Sequence, residues 1–90
     1  VIGLTKAAAL NYANSGIRVN AVCPSAIHTP LVEHLTKYYP DMEKAIIDTN
    51  PMARLGTPEE VAQAVVWLCS DAASFINGHP LSIDGGLVAQ

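Results

Sequence analysis

From Val1 to Asn14 almost every position is apolar or alanine, with polar groups only at Thr5, Lys6, Asn11 and Asn14. The alanine content favours helix, and a helix apolar around most of its circumference is expected to be buried on more than one side. Asn14-Ser15-Gly16 supplies a stop, because Gly16 can take the left-handed conformation that closes a helix. The period then changes. Ile17-Arg18-Val19-Asn20-Ala21-Val22-Cys23 carries β-branched residues and runs into Pro24, which has no N–H for a ladder, so the pattern predicts a buried strand over 17–23.

Thr29-Pro30 reads as a helix cap followed by proline at the first helical position, opening a short helix to Tyr38 that Pro40 closes. Asp41 is placed to cap a second short helix to Asp48, and Asn50-Pro51 breaks it. The sharpest local signal is Thr57-Pro58-Glu59-Glu60, in which a threonine cap and a glutamate at the third helical position form a capping box. Val61, Ala64, Val65 and Leu68 recur at helical spacing and carry that helix to Asp71. Asn77-Gly78 marks a turn, 80–83 a short strand, and Asp84-Gly85-Gly86 its end. A strand, a helical crossover and a second strand imply parallel pairing, hence an α/β sheet with helices on its faces.

Composition narrows the classes. Lys and Arg number 5 against 8 Asp and Glu, a formal charge of −3, which excludes a basic footprint for nucleic acid. Charged residues are 14 %, against about 25 % in an average soluble domain, and apolar residues are 50 %, so more of the surface is expected to be covered than in a free monomer. No apolar run approaches the roughly 20 residues that span a bilayer, so no membrane segment is expected. Cys23 and Cys69 read as two buried thiols of a reduced, cytoplasmic protein. A metal site on Cys23, His28 and His34 has no compact ligand spacing and no second pair. With Val1 opening inside an apolar pattern, residues 1–90 read as a single partial domain, a segment of something longer.

Several motifs occur together and in order: Gly3-Leu4-Thr5-Lys6, Ala9-Leu10, Gly16-Ile17-Arg18-Val19-Asn20, Pro24 with Thr29, the run Pro51 to Ala62, and Asn77-Gly78 through Asp84-Gly85-Gly86. With them the chain closely resembles the carboxyl-terminal part of the short-chain dehydrogenase/reductase family. The resemblance covers nearly all 90 residues. It implies the carboxyl-terminal part of a Rossmann-like, doubly wound parallel sheet, in the order helix, strand, two short helices, helix, strand. It further implies an NAD- or NADP-dependent oxidoreductase acting on a small-molecule alcohol/carbonyl pair, with a homo-oligomer, dimer or tetramer, built through the first helix and the helix from Pro58.

In that family the loop after the first of these strands holds the nicotinamide ring, which assigns Pro24, Ser25, Ile27 and Thr29 to cofactor binding, through the backbone at Ile27 and the hydroxyl of Thr29. Thr29 before Pro30 is also an ordinary helix cap, and the two roles can coexist. Ser25 stands where the family usually has glycine; a left-handed conformation there would cost serine about 1 kcal/mol or more. Leu31 to Leu55 matches the family's variable substrate-covering segment, whose Leu31, Leu35, Tyr38, Tyr39 and Met42 either line an apolar pocket or pack two short helices together. Arg54 reads as a surface charge or a contact at the hinge of that segment, His34 and His79 as surface or strand-end residues, and Trp67 as packed.

The six glycines contain no phosphate-cradling cluster, and the family's active-site Tyr and Lys, four positions apart, are absent: the residues four after Tyr12, Tyr38 and Tyr39 are Gly16, Met42 and Glu43. No catalytic residue is therefore assigned within 1–90. Ser25, His28 and Asp41 lack the Gly-x-Ser-x-Gly context of a hydrolase triad. The alternative to an oxidoreductase segment is a non-catalytic oligomerising or binding module. Either way, two parallel strands without further neighbours leave an apolar edge open, so stable folding is expected only with more sheet or within an assembly.

Overall fold

The computed structural model describes residues 1–90. Helix α1 spans Ile2–Tyr12 and passes through a short 3₁₀ turn, Ala13–Ser15, closed by Gly16 in the left-handed conformation at φ 73°. Strand β1 is Ala21–Pro24, α2 is Pro30–Tyr38, α3 is Pro40–Thr49, α4 is Pro58–Leu68 and β2 is Pro80–Ile83. The strands pair in parallel, Ala21 opposite Pro80 and Pro24 opposite Ile83, as the strand–crossover–strand order requires.

The first strand is shorter than the predicted 17–23, and the cause lies in side chains. Val19 N–H donates to Asn77 Oδ1 (3.0 Å), His79 N–H donates to Asn20 Oδ1 (2.9 Å), and Gly78 N–H donates to Val19 C=O (2.8 Å). Residues 18–20 thus meet the turn at 76–79 through amide side chains in place of a ladder. Arg18 extends the weld, donating to the carbonyls of Ile76 and Ser70, both at 3.2 Å. Asn77 Nδ2 reaches Ala9 C=O (3.1 Å), which ties α1 to the same turn.

Pro40 does not merely close α2; it is the first residue of α3, with Tyr39 at the cap and Asp41 inside the first turn. Proline suits that position because its missing N–H would have no helical partner there. The Thr57 capping box forms as predicted, but α4 ends at Leu68, where Ser70 Oγ donates back to Trp67 C=O (2.6 Å) and the last residues turn into a 3₁₀ segment, Asp71–Ala73.

Burial departs from the sequence expectation. Only 6 of 90 residues are buried, the apolar ones being Ala9, Ala21, Leu68 and Ala73, so the helices and the strand pair enclose little core among themselves. In α1 only Thr5 and Ala9 are buried, while Leu4 and Leu10 are exposed; one side of the helix is covered, not several. Trp67, expected to be packed, is 44 % exposed. Cys23, in β1, is half-buried and Cys69, at the end of α4, is exposed, both as free thiols, so neither is the buried thiol expected from the sequence. Helices α2 and α3 contain no buried residue, and Leu31, Tyr38 and Tyr39 point largely to solvent. No helix is long and apolar enough to cross a membrane.

Candidate functional site

The loop that leaves β1 runs Pro24-Ser25-Ala26-Ile27-His28-Thr29 at the carboxyl end of a parallel strand, the edge at which open α/β sheets place ligands. Ser25 N–H still donates to Ile83 C=O (3.2 Å), so the strand pair extends one bond into the loop. The residue with a left-handed backbone is Ala26, at φ 59°, and not Ser25, which corrects the expectation that the serine carries the strain.

Beyond Ala26 the chain forms a single parallel bridge with the segment returning from α3. Gly56 N–H donates to Ala26 C=O (2.9 Å) and His28 N–H donates to Gly56 C=O (2.8 Å). In a parallel bridge the central residue's own N–H and C=O point away from its partner. Accordingly, neither the N–H nor the C=O of Ile27 is bonded within the chain. Two residues on, Thr29 Oγ1 accepts from Val32 N–H (3.3 Å) and caps α2. A hydroxyl that accepts keeps its own O–H to donate. The loop therefore offers one donor and one acceptor from Ile27 and a donor from Thr29. Of the predicted residues, Pro24 is engaged in the strand, opposite Ile83, and presents no free donor.

On the Gly56 side lies a concavity of about 300 Å³, whose walls include Ser25, Ile27, Asn50, Gly56, Ser82 and Gly85. Ile27 and Ser25 contribute to it, while Thr29 does not. Its floor is organised by Asn50, which is buried: Nδ2 donates to Asp84 C=O (2.9 Å) and Oδ1 accepts from Met52 N–H (2.9 Å). The end of α3 is thereby tied to the end of β2. Asp84 in turn accepts from Gly86 N–H (3.0 Å) and Val88 N–H (3.2 Å), folding the glycine pair back. Sequence reasoning saw in Asn50 only a helix breaker. The available signal was the turn formed by an asparagine whose side chain accepts from the N–H two residues on.

Arg54 is a surface charge at the hinge, as read, but it is not solitary. Its guanidinium forks onto Glu60, Nη1 to Oε1 at 2.8 Å and Nη2 to Oε2 at 3.0 Å, and Nη1 also donates to Leu55 C=O (3.0 Å). That fork, with the Thr57 N–H bond to Glu60 Oε1 (2.9 Å), lowers the Glu60 carboxyl from 4.5 to about 2. The same hydrogen bond to Glu60 raises the Arg54 pKa. His28 Nε2 lies 3.4 Å from Glu33 Oε1 at the surface, His34 meets Tyr38 edge-on at 5.3 Å, and His79 is exposed at the start of β2. No group of three or more His, Cys, Asp or Glu is close enough to hold a metal ion.

A parallel strand pair flanked by helices, with a ligand-facing loop at its carboxyl end, places the chain among α/β proteins of Rossmann type. The comparisons with known proteins carry this further. Residues 1–88 match the family model described as enoyl-(acyl carrier protein) reductase, and the chain belongs to the short-chain dehydrogenase/reductase family. It is 49 % identical over 86 residues to the short-chain dehydrogenase RED2 of Pyricularia oryzae, covering 96 % of this chain and 31 % of that protein. It is 47 % identical over 90 residues to the cyclohexanol dehydrogenase of an Acinetobacter species, covering 100 % of this chain and 34 % of that protein. Among solved structures it superimposes on ElxO with NADP bound with a TM-score of 0.90 at 42 % identity, covering 99 % of this chain and 36 % of that one. The chain thus spans about a third of the length of the proteins it matches.

Proposed function

We propose that residues 1–90 form the carboxyl-terminal part of a dinucleotide-binding domain in an NAD- or NADP-dependent oxidoreductase that interconverts an alcohol and a carbonyl. The observation that carries this reading is the free N–H and C=O of Ile27 beside the Thr29 hydroxyl, at the carboxyl end of a parallel strand. A carboxamide needs an acceptor for its NH₂ and a donor for its C=O, and these groups supply both kinds. Ile27 and Thr29 would hold the nicotinamide carboxamide and fix which face of the ring meets the substrate; Ser25 and Pro24 set the exit of the loop from the strand. Bound there, the nicotinamide supplies or accepts the hydride.

Helices α2 and α3 are the segment that covers the substrate in this reading, with Leu31, Tyr38 and Tyr39 exposed until an occupant or the rest of the protein meets them. The relative named cyclohexanol dehydrogenase supports a small alcohol as substrate class. The phenol and ammonium that serve proton transfer in the family would come from residues outside 1–90, since no Tyr-x-x-x-Lys occurs within them. Apolar surface left bare on α1 and α4, including Leu4, Leu10, Val66 and Trp67, supports a homo-oligomer, a dimer or tetramer, because burying a large apolar side chain is worth roughly 1.5–3 kcal/mol.

The same bare surface supports the second reading, an oligomerising module without catalysis. Intact mass and amino-terminal sequencing of the purified protein, followed by titration with NADH and NADPH, separate the two. A Tyr-x-x-x-Lys ahead of Val1, together with saturable dinucleotide binding and oxidation of NADH or NADPH by a ketone panel, is the expected result. Saturation by neither dinucleotide would overturn the oxidoreductase reading.

A further inference from the structure

Two peptide units flank Gly56, and each is held at both ends. In the first, Gly56 N–H donates to Ala26 C=O (2.9 Å) while its other end, Leu55 C=O, accepts from Arg54 Nη1 (3.0 Å). In the second, Gly56 C=O accepts from His28 N–H (2.8 Å) while Thr57 N–H donates to Glu60 Oε1 (2.9 Å). One end of each unit thus belongs to the loop that presents Ile27, and the other to the Arg54–Glu60 pair. The pair itself is a two-pronged fork, 2.8 and 3.0 Å, a geometry that fixes orientation as well as distance. Glycine has no side chain to resist rotation of these planes, so the fork supplies the restraint that Gly56 lacks. Ile27 Cδ1 lies where a Cβ on Gly56 would come within 2.8 Å, so the loop rests directly on the glycine.

We infer that the Arg54–Glu60 pair is a positioning device for the cofactor loop, setting through Gly56 the direction in which Ile27 presents its N–H and C=O. The inference rests on the assignment of the Ile27–Thr29 loop to cofactor binding. Both charges stand on the Gly56 side of the loop, where they line the concavity with Ser25 and Ile27, whereas the free Ile27 N–H and C=O point away from that side. Arg54 and Glu60 are positioning residues, and a tilt of either peptide plane at Gly56 displaces the carboxamide contacts without altering their chemistry. Because small misplacements of a reacting group are costly, the effect falls on turnover more than on affinity.

The test compares Arg54→Met, Arg54→Lys and Glu60→Gln with wild type in the intact protein. Amide hydrogen exchange is read at Gly56 and His28, and cofactor Kd, substrate KM and kcat are measured alongside the melting temperature. Arg54→Met is expected to speed exchange at both amides about tenfold and to lower kcat about tenfold, with Kd for the dinucleotide weakened about threefold and substrate KM unchanged. Arg54→Lys, which keeps the charge without the fork, is expected to restore part of kcat, and Glu60→Gln, which keeps the cap to Thr57, to fall between. Unchanged exchange at Gly56 and His28 in Arg54→Met overturns the inference. So does faster exchange with kcat and Kd both at the wild-type value. A fall in melting temperature with wild-type kcat per folded molecule overturns it as well, since that is a purely structural role. If wild type itself binds no dinucleotide, the oxidoreductase reading fails and the inference falls with it, whereas wild-type binding with indifferent variants removes the inference alone.

Discussion

Gly85 is the position at which one added methyl group tests the packing between the end of α3 and the end of β2. Its φ is +64°, a conformation that costs an L-residue about 1–2 kcal/mol. A Cβ there would overlap Asn50 Oδ1 and lie 3.1 Å from Asn50 Cγ and Nδ2. The Asn50 amide cannot retreat without leaving Asp84 C=O and Met52 N–H, the two partners that hold it at 7 % exposure. Two hydrogen bonds at about 1 kcal/mol each, added to the backbone cost, give about 3–4 kcal/mol for Gly85→Ala. Gly86 is the internal control: its φ is +92°, but the nearest atom to a Cβ there is Pro51 Cγ at 3.6 Å, so Gly86→Ala carries the backbone cost alone, about 1–2 kcal/mol. Asn50→Ala is expected to cost about 2 kcal/mol, and in the double variant Gly85→Ala/Asn50→Ala the overlap disappears, so the two losses combine to about 2 kcal/mol less than additive. The assay is equilibrium urea unfolding of the intact protein. A Gly85→Ala loss equal to that of Gly86→Ala, or strict additivity in the cycle, would refute the account.

The left-handed Ala26 predicts that Ala26→Gly stabilises by about 0.5–1 kcal/mol while Ser25→Gly gives no gain, measured as paired melting temperatures. Thr57→Ala removes the acceptor of Glu60 N–H and should cost about 1 kcal/mol, with Thr57→Ser near wild type in the same urea assay. Glu60 sits below its ordinary value when folded, so the contribution of its partners is complete above pH 4.5 and is lost as the pH falls toward 2. Urea midpoints of wild type and Glu60→Gln should therefore differ at pH 5 and converge toward pH 2, and curves that stay parallel would contradict the assigned partners.

Local rules were legible where a residue acts on its own neighbours in sequence. The Thr29 and Thr57 caps, the Gly16 stop and the 80–83 strand follow from single-turn chemistry and occur where the pattern places them. Parallel pairing followed from order alone, and the loop after β1 from topology. What was not legible depends on partners far along the chain. Strand β1 shrinks because Asn77 and Asn20 exchange amide bonds with the backbone across 58 and 59 residues. Asn50 looks across 34 residues to Asp84, and Arg54 reaches Glu60 around a bend rather than along a helix face, a spacing of six that no periodicity flags. Strain was assigned to Ser25 because its position matched a family glycine, whereas the backbone places it one residue later. The apolar pattern of α1 implied burial on more than one side, whereas residues 1–90 cover only the side that carries Thr5 and Ala9.

The segment from α2 to α3 adds no buried residue to the rest, and it is fastened at its two roots, by the Ile27–Gly56 bridge with the Thr29 cap and by the Asn50 staple to Asp84. Such an arrangement separates what selection must keep from what it is free to rewrite. Residues 31–49 can exchange size, polarity and helix length with little penalty to the sheet, so long as the two roots persist. Grafting that stretch between relatives should leave the host's stability nearly as it was and, if the stretch covers the substrate as proposed, carry its substrate preference with it.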